Sequence, residues 1–415
     1  MNSFYNKFRH EIVAGGDVDD RRDQHRDKNG AYLGGAILLA LLAYLGMRNI
    51  WTLLFVLGLL ISVFLHEMGH FVTAKLSGMK VTQFYMGFGP RIWSTVHNGI
   101  EYGVRLLPLG AYVRIVGMNN LDDCDPADES RSYRAQSYPK RMLVITAGSL
   151  MHLAIALSLL FGVYAFAGRY AESGSVKVVE SPLAQSPAEA AGVLADDIVL
   201  SFDGVKTRTR TDLVEAIISH RPGDIVDVVV SREGRPMTLS ATLGTNPADS
   251  SVAFFGVSSW SRDYVQLNPL LALRYSVSDG ASTAVQSVKG VFTVLNPRNI
   301  FNSVTSTVAD PATRPSTVVG ASQLGGEIGR QEGIKGIFML LAGVNVFIGI
   351  FNMFPLLPFD GGHAAIATYE RLRSRRNRIY RADVAKMVPV ATAVVALLLL
   401  LMFAGLYLDI TQPLG

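Results

Sequence analysis

The chain has 415 residues, 49% of them hydrophobic and 17% charged, with a mean hydropathy of +0.28. Soluble globular proteins carry about 25% charged residues, so a wholly water-soluble globule is disfavoured and an integral membrane protein with a sizeable water-facing part is expected. A net charge of +4 is too small to point to nucleic acid as a partner, and the single cysteine, Cys124, rules out an intrachain disulfide framework.

Residues 1–30 are polar and mixed in sign, which reads as a disordered tail. No signal peptide is expected, because the apolar run starts late and no small-residue cleavage site follows it. Residues 31–47 form an apolar segment that is either an extra span or a membrane-surface helix, since about 20 residues are needed to cross. A second apolar run extends through residues 50–74 and passes that test, giving the first core span.

That span ends in His66-Glu67-Met68-Gly69-His70. Helical spacing puts His66 and His70 on one face, one turn apart, where both imidazoles can reach one ion. Glu67 lies about 100° round the helix, free to act on water instead of binding the metal. Two histidines flanking a glutamate in an apolar span are the sequence form of a zinc peptidase, and ionisable groups in such spans are costly and usually functional.

Residues 79–116 alternate apolar positions with Gly87, Gly89, Pro90, Gly99, Pro108 and Gly110, the chemistry of small β-hairpins packed beside that helix. A polar loop over 119–140 holds Cys124 among Asp122, Asp123 and Asp125, where it reads as a bystander. Residues 142–168 give a second span. Residues 176–243 run strand, turn, strand, helix, strand, strand, the order of a PDZ-like module that binds extended peptide at a sheet edge. Within 250–335, residues 269–296 read as amphipathic helices and 297–317 as a loop. A third span covers 336–357, a basic loop 371–386, and a fourth span 387–408. The fold class expected is a polytopic α-helical membrane protein with four core spans, a fifth candidate at the N-terminus, a membrane-associated β region and a PDZ-like α+β domain.

Arg371, Arg373, Arg375, Arg376, Arg378, Arg381 and Lys386 face only Asp383 in the 371–386 loop, which places it in the cytoplasm. Counting spans backwards puts the 75–141 loop on the same side and the PDZ-like region outside. The third span ends in Asn352-Met353-Phe354-Pro355-Leu356-Leu357-Pro358-Phe359-Asp360-Gly361-Gly362-His363. Two prolines break the helix and expose Asp360, the natural third zinc donor near the level of His66 and His70. Asn352 is placed to hydrogen-bond substrate backbone or a developing oxyanion. His363 reads as a packed residue, and His97 and His152, with no partners at metal spacing, read as structural.

Those motifs together resemble the site-2 protease family of intramembrane zinc metalloproteases, in a regulator-of-sigma-E-protease-like form with a single PDZ domain. The matching pieces are His66 to His70, Gly87-Phe88-Gly89-Pro90, Tyr102-Gly103-Val104 with Pro108-Leu109-Gly110, the PDZ segment, Val318-Val319-Gly320-Ala321, and Asn352 through Gly362. They run in the family's order from about residue 50 to 410, leaving residues 1–48 outside. The resemblance implies one zinc ion held by His66, His70 and Asp360, and water activation by Glu67. It also implies a sheet at 81–115 that holds substrate extended and a PDZ domain acting outside as a size filter. Implied substrates are single-span anti-sigma factors already cut once and remnant signal peptides, in the cell inner (plasma) membrane. Two departures stand out. Ala147-Gly148-Ser149-Leu150-Met151-His152 replaces a pattern that often ends in asparagine, and Asp196-Asp197 replaces Gly-Asp in the PDZ turn. A membrane scaffold with a vestigial site is disfavoured by the intact Glu67, and an ion transporter by the lack of paired broken helices.

Overall fold

The computed structural model describes residues 28–118, 124–247, 249–306, 308–375 and 380–414; residues 1–27, most of the expected polar tail, lie outside these. The chain divides into two compact units, Met1–Phe161 with Tyr275–Gly415, and Gly162–Arg274.

The first unit opens with helices α1 (Lys28–Arg48) and α2 (Ile50–Leu76). Asn49 separates them; its backbone is extended and its side-chain oxygen accepts from the Trp51 N–H at 3.0 Å, an N-cap that restarts the helix. The apolar 31–47 segment is therefore part of a 21-residue helix, about 31 Å long at 1.5 Å per residue.

Strands β1 (Val81–His97) and β2 (Ile100–Ile115) pair antiparallel, and each folds over midway. Phe84, Tyr85 and Met86 pair with Val113, Tyr112 and Ala111 on one side and with Tyr102, Gly103 and Val104 on the other. The second half of β1 pairs only with the first half of β2, from Trp93↔Val104 to His97↔Ile100. Two long strands thus make four segments, with residues 111–115 along one edge. Gly87 turns β1 at φ 91°, and a Cβ there would stand 2.7 Å from the Leu107 carbonyl oxygen, so a side chain does not fit. Helix α3 (Tyr138–Phe166) follows.

The second unit contains β3 (Arg169–Val178), α4 (Pro187–Ala190), β4 (Ile198–Phe202), β5 (Val205–Lys206), α5 (Arg210–Ile218), β6 (Ile225–Arg232), β7 (Arg235–Thr242), β8 (Gly244–Asn246), β9 (Asp249–Phe254) and β10 (Ser259–Val265). One antiparallel sheet has the order β10-β3-β4-β6-β7, with β5 on β4. Alternate residues of its strands, such as Val226, Val228 and Val230, fill one core with Phe202, Leu213 and Phe255. Helix α5 starts in a capping box between Thr209 and Asp212. Asp196 takes the left-handed φ of 69° in the turn where glycine is frequent. The next residue, Asp197, is fully buried and receives Arg232 Nε and Nη2 at 2.8 Å each and the Leu194 N–H at 2.9 Å. The Arg232 guanidinium holds the Asp197 carboxyl below the usual carboxylate range. Strands β8, β9 and β10 lie beyond residue 243, where the expected PDZ-like segment ends.

The chain continues through α6 (Pro269–Val294), α7 (Pro297–Thr305), α8 (Val318–Asn352), α9 (Asp360–Arg373) and α10 (Val388–Thr411). Residues 297–305, read as loop, are helical because Asn296 caps the Arg298 N–H at 3.0 Å and Pro297 occupies the first turn. The third apolar segment starts earlier than expected, at Val318, and is interrupted at Gly333, whose φ 66° and ψ −150° are not helical. Among the described residues, four helical stretches are long and apolar enough to cross a membrane: α2, α3, α8 and Val384–Thr411. Helices α2 and α8 pack through Phe55, Leu59, Ile337 and Leu341. Glycines permit the approach: a Cβ at Gly325 would stand 2.7 Å from Phe55 Cγ.

Candidate active site

Helix α2 delivers His66, Glu67 and His70, and the start of α9 delivers Asp360. Helix α8 ends at Asn352, and a turn through Pro355 and Pro358 leads into α9 at Asp360. Gly361 and Gly362 are buried, and a Cβ at Gly362 would lie 2.6 Å from the Leu357 nitrogen. These glycines let α9 begin flush against the preceding turn, so their role is close backbone packing.

The result brings His66, His70 and Asp360 together, residues almost three hundred positions apart. His66 Nε2 and His70 Nε2 are 3.2 Å apart, and Asp360 Oδ2 lies 3.5 Å from the first and 3.2 Å from the second. Zinc–ligand bonds of about 2.0–2.1 Å in a tetrahedron require ligand atoms about 3.3–3.4 Å apart, and all three edges agree. His70 Nδ1 donates to the Val144 carbonyl at 2.7 Å, so the neutral ring presents a bare lone pair at Nε2. Asp360 Oδ2 is buried with no hydrogen-bond partner. The bare His70 lone pair and the unpartnered carboxylate oxygen face one another at this spacing and repel unless a positive charge sits between them. The residues present fit one zinc ion.

Helix α3 walls the site with backbone. A Cβ at Gly148 would stand 2.7 Å from His66 Nδ1 and overlap the His70 ring, and one at Gly69 would stand 2.8 Å from the Ala147 carbonyl oxygen. Glu67 is partly buried, with its carboxylate toward the backbone amide of Val113 on the 111–115 edge. Asn352 closes α8, and among the described residues its side chain makes no hydrogen bond to the three-donor cluster. His363, one turn beyond Asp360, lines a small cavity with Tyr133, Arg141 and Glu370. His152, read as a residue without metal-site partners, lies beside His66, with ring centroids 4.8 Å apart. Its only sequence cue is the departure from asparagine at that position.

Residues 54–399 match the profile of peptidase family M50. The chain belongs to that family, the site-2 proteases. The M50 chain is 32% identical over 401 residues to zinc metalloprotease Rip1 of Mycobacterium tuberculosis, covering 87% of this chain and 97% of that one. It is 30% identical over 408 residues to Rip1 of Mycolicibacterium smegmatis, covering 89% and 99%. The PDZ domain of an SdrC-like protein from Listeria monocytogenes aligns with 21% of the chain and 90% of its own length, at 19% identity and a TM-score of 0.19. The protein is thus a zinc metalloprotease, and zinc is its cofactor.

Proposed function

We propose that this M50 protease hydrolyses peptide bonds within transmembrane segments of single-span membrane proteins. The observation that carries the reading is the His66, His70 and Asp360 triangle with Glu67 beside it, its two histidines and the glutamate on a helix long and apolar enough to cross a membrane. In this reading His66, His70 and Asp360 would hold the zinc. When bound, the ion supplies Lewis acidity toward the scissile carbonyl and lowers the pKa of water. Glu67 takes the proton of the attacking water and delivers it to the departing amide nitrogen. Asn352 donates to substrate backbone or to the developing oxyanion. A substrate helix must unwind first, because its carbonyls are otherwise occupied. Residues 111–115 form one edge of the sheet, where an extended segment can add as a further strand, and Val113 puts that edge next to Glu67.

The same reading places the protein in the cell inner (plasma) membrane, with the basic 371–386 loop and the active site toward the cytoplasm. Residues 176–243 act outside as a PDZ-like module that binds extended peptide and admits substrates already shortened by a first protease. Anti-sigma factors and remnant signal peptides have the required single span, which ties the enzyme to transmembrane stress signalling. Proteomic comparison of membrane-protein fragments from cells with the unmodified protein and with Glu67→Gln tests this. The reading expects a set of single-span fragments that vanish in the variant; identical fragment sets would overturn it.

A further inference from the structure

Two buried polar groups beside the zinc site have no part in the reading above: His152 of α3, 1% exposed, and Asn345 of α8, fully buried. The Asn345 carboxamide donates to Ser62 Oγ at 3.0 Å and to the Leu341 carbonyl at 2.8 Å. Its oxygen therefore turns to His152, whose Nδ1 donates to it at 2.7 Å. Ser62 sits one turn before His66 on α2 and donates to the Gly58 carbonyl at 2.9 Å. The His152 ring rests against His66, its plane tilted 41°. The chain of contacts Ser62, Asn345, His152, His66 thus leaves α2, passes through α8 and α3, and returns to α2 one turn later. At Gly349 a Cβ would stand 3.1 Å from His152 Cβ, so glycine lets α8 close on α3 at this level.

The two zinc-facing histidines are held differently. The Val144 carbonyl fixes His70 through Nδ1. His66 Nδ1 is buried against the Gly148 backbone and makes no bond as well formed as that of His70, so its ring is held largely by packing, between the Gly148 backbone and the His152 imidazole. We propose that His152, oriented by Asn345, is a positioning residue that keeps His66 in the rotamer whose Nε2 faces the zinc position. The inference rests on His66 being a zinc donor.

Zinc affinity of the full-length protein in lipid nanodiscs, measured by competition with a chromophoric chelator, tests it, with thermal unfolding of the zinc-free forms alongside. His152→Ala is expected to weaken zinc binding roughly 10–100-fold, the usual effect of removing a group that orients a metal ligand. Asn345→Ala, which removes a residue bonded to His152, should weaken it within the same range, and the double alanine variant should be no worse than His152→Ala alone. Leucine at both positions removes every polar atom of the pair, so stability should return while zinc binding stays weak. This pair also carries the test if His152→Ala does not fold. Unchanged zinc affinity in His152→Ala, additive losses, or recovery of zinc affinity by the leucine pair would each overturn the proposal. His66→Ala separates the two levels. If it binds zinc like the unmodified protein, the donor assignment fails; if it loses zinc while the leucine pair keeps it, only the positioning role fails.

Discussion

Arg141 Nη1 donates to Glu370 Oε2 at 2.7 Å, and the two side chains are only 8% and 5% exposed. Arg141 lies in the first turn of α3 and Glu370 in the last turn of α9, so the pair ties the helix that opens with Asp360 to the helix carrying Val144 and Gly148. The other Glu370 oxygen accepts the Ala382 N–H at 2.8 Å, and the guanidinium lies 4.8 Å from the centre of the Tyr133 ring. Glu370→Leu leaves a buried guanidinium without its carboxylate and should cost about 3–5 kcal/mol. Adding Arg141→Met should recover much of that. Thermal unfolding in detergent measures both; equal destabilisation by the single and double variants would contradict the account.

Gly148 predicts a separation of stability from metal binding. Alanine at a mid-helix glycine ordinarily stabilises by about 0.5–1 kcal/mol. Here its Cβ falls on the two imidazoles. Gly148→Ala should therefore fold and bind zinc at least about 10-fold more weakly, read by the same chelator competition. Unaltered zinc affinity would show that the rings have room the geometry denies them.

Asp409 predicts an anchor between the C-terminal end of α10 and the start of α8. It is fully buried and accepts from Arg314 Nη2 at 2.6 Å, Thr317 Oγ1 at 2.7 Å, the Thr317 N–H at 2.8 Å and the Gly320 N–H at 3.0 Å. Asp409→Leu strands Arg314 and uncaps α8, so a loss of about 3–5 kcal/mol is expected. Limited proteolysis should then open the segment 308–317 first, and protection equal to the unmodified protein would argue against the anchor.

Residues 162–274 should respond to pH through two groups of opposite sign. His220 Nε2 lies 2.9 Å from Asp203 Oδ2, and its Nδ1 lies 2.8 Å from the Ala216 carbonyl. Both bonds can be donated only by the imidazolium, and its pKa is raised above the ordinary value, first by Asp203. Its contribution is fully present below the unfolded value of about 6.5 and is lost as pH rises through the folded value. It is modest, because Asp203 is half in water. The depressed Asp197 does the reverse: its contribution is present above about 3.9 and is lost as pH falls through the folded value. Urea-dependent proteolysis of this unit in the full chain should show His220→Gln weaker than the unmodified protein near pH 6 and close to it near pH 9. A constant difference across that range would contradict the assignment.

The metal triangle was legible because each half is local: a histidine pair one turn apart, and a carboxylate exposed by two prolines. Longer-range features were hidden. His152 looks idle in sequence because its partners, His66 and Asn345, lie on other helices, the second 193 residues away. The third span is expected only from residue 336, and Gly325, Gly326, Gly329 and Gly333 lower helix propensity ahead of it. In the fold three of these glycines, 325, 326 and 329, are buried; Gly325 and Gly329 lie against Phe55 and Trp51, so packing outweighs propensity. Helix α7 was missed although Asn296-Pro297 is a helix-start signal.

In the proposed mechanism Glu67 moves the proton while His66, His70 and Asp360 hold the zinc. Purified Glu67→Gln in a lipid bilayer, presented with a tagged single-span substrate, tests it most directly when zinc content is measured on the same sample. The account predicts one zinc per chain in both proteins and a fall in cleavage of at least about 100-fold in the variant; cleavage at the unmodified rate would contradict it.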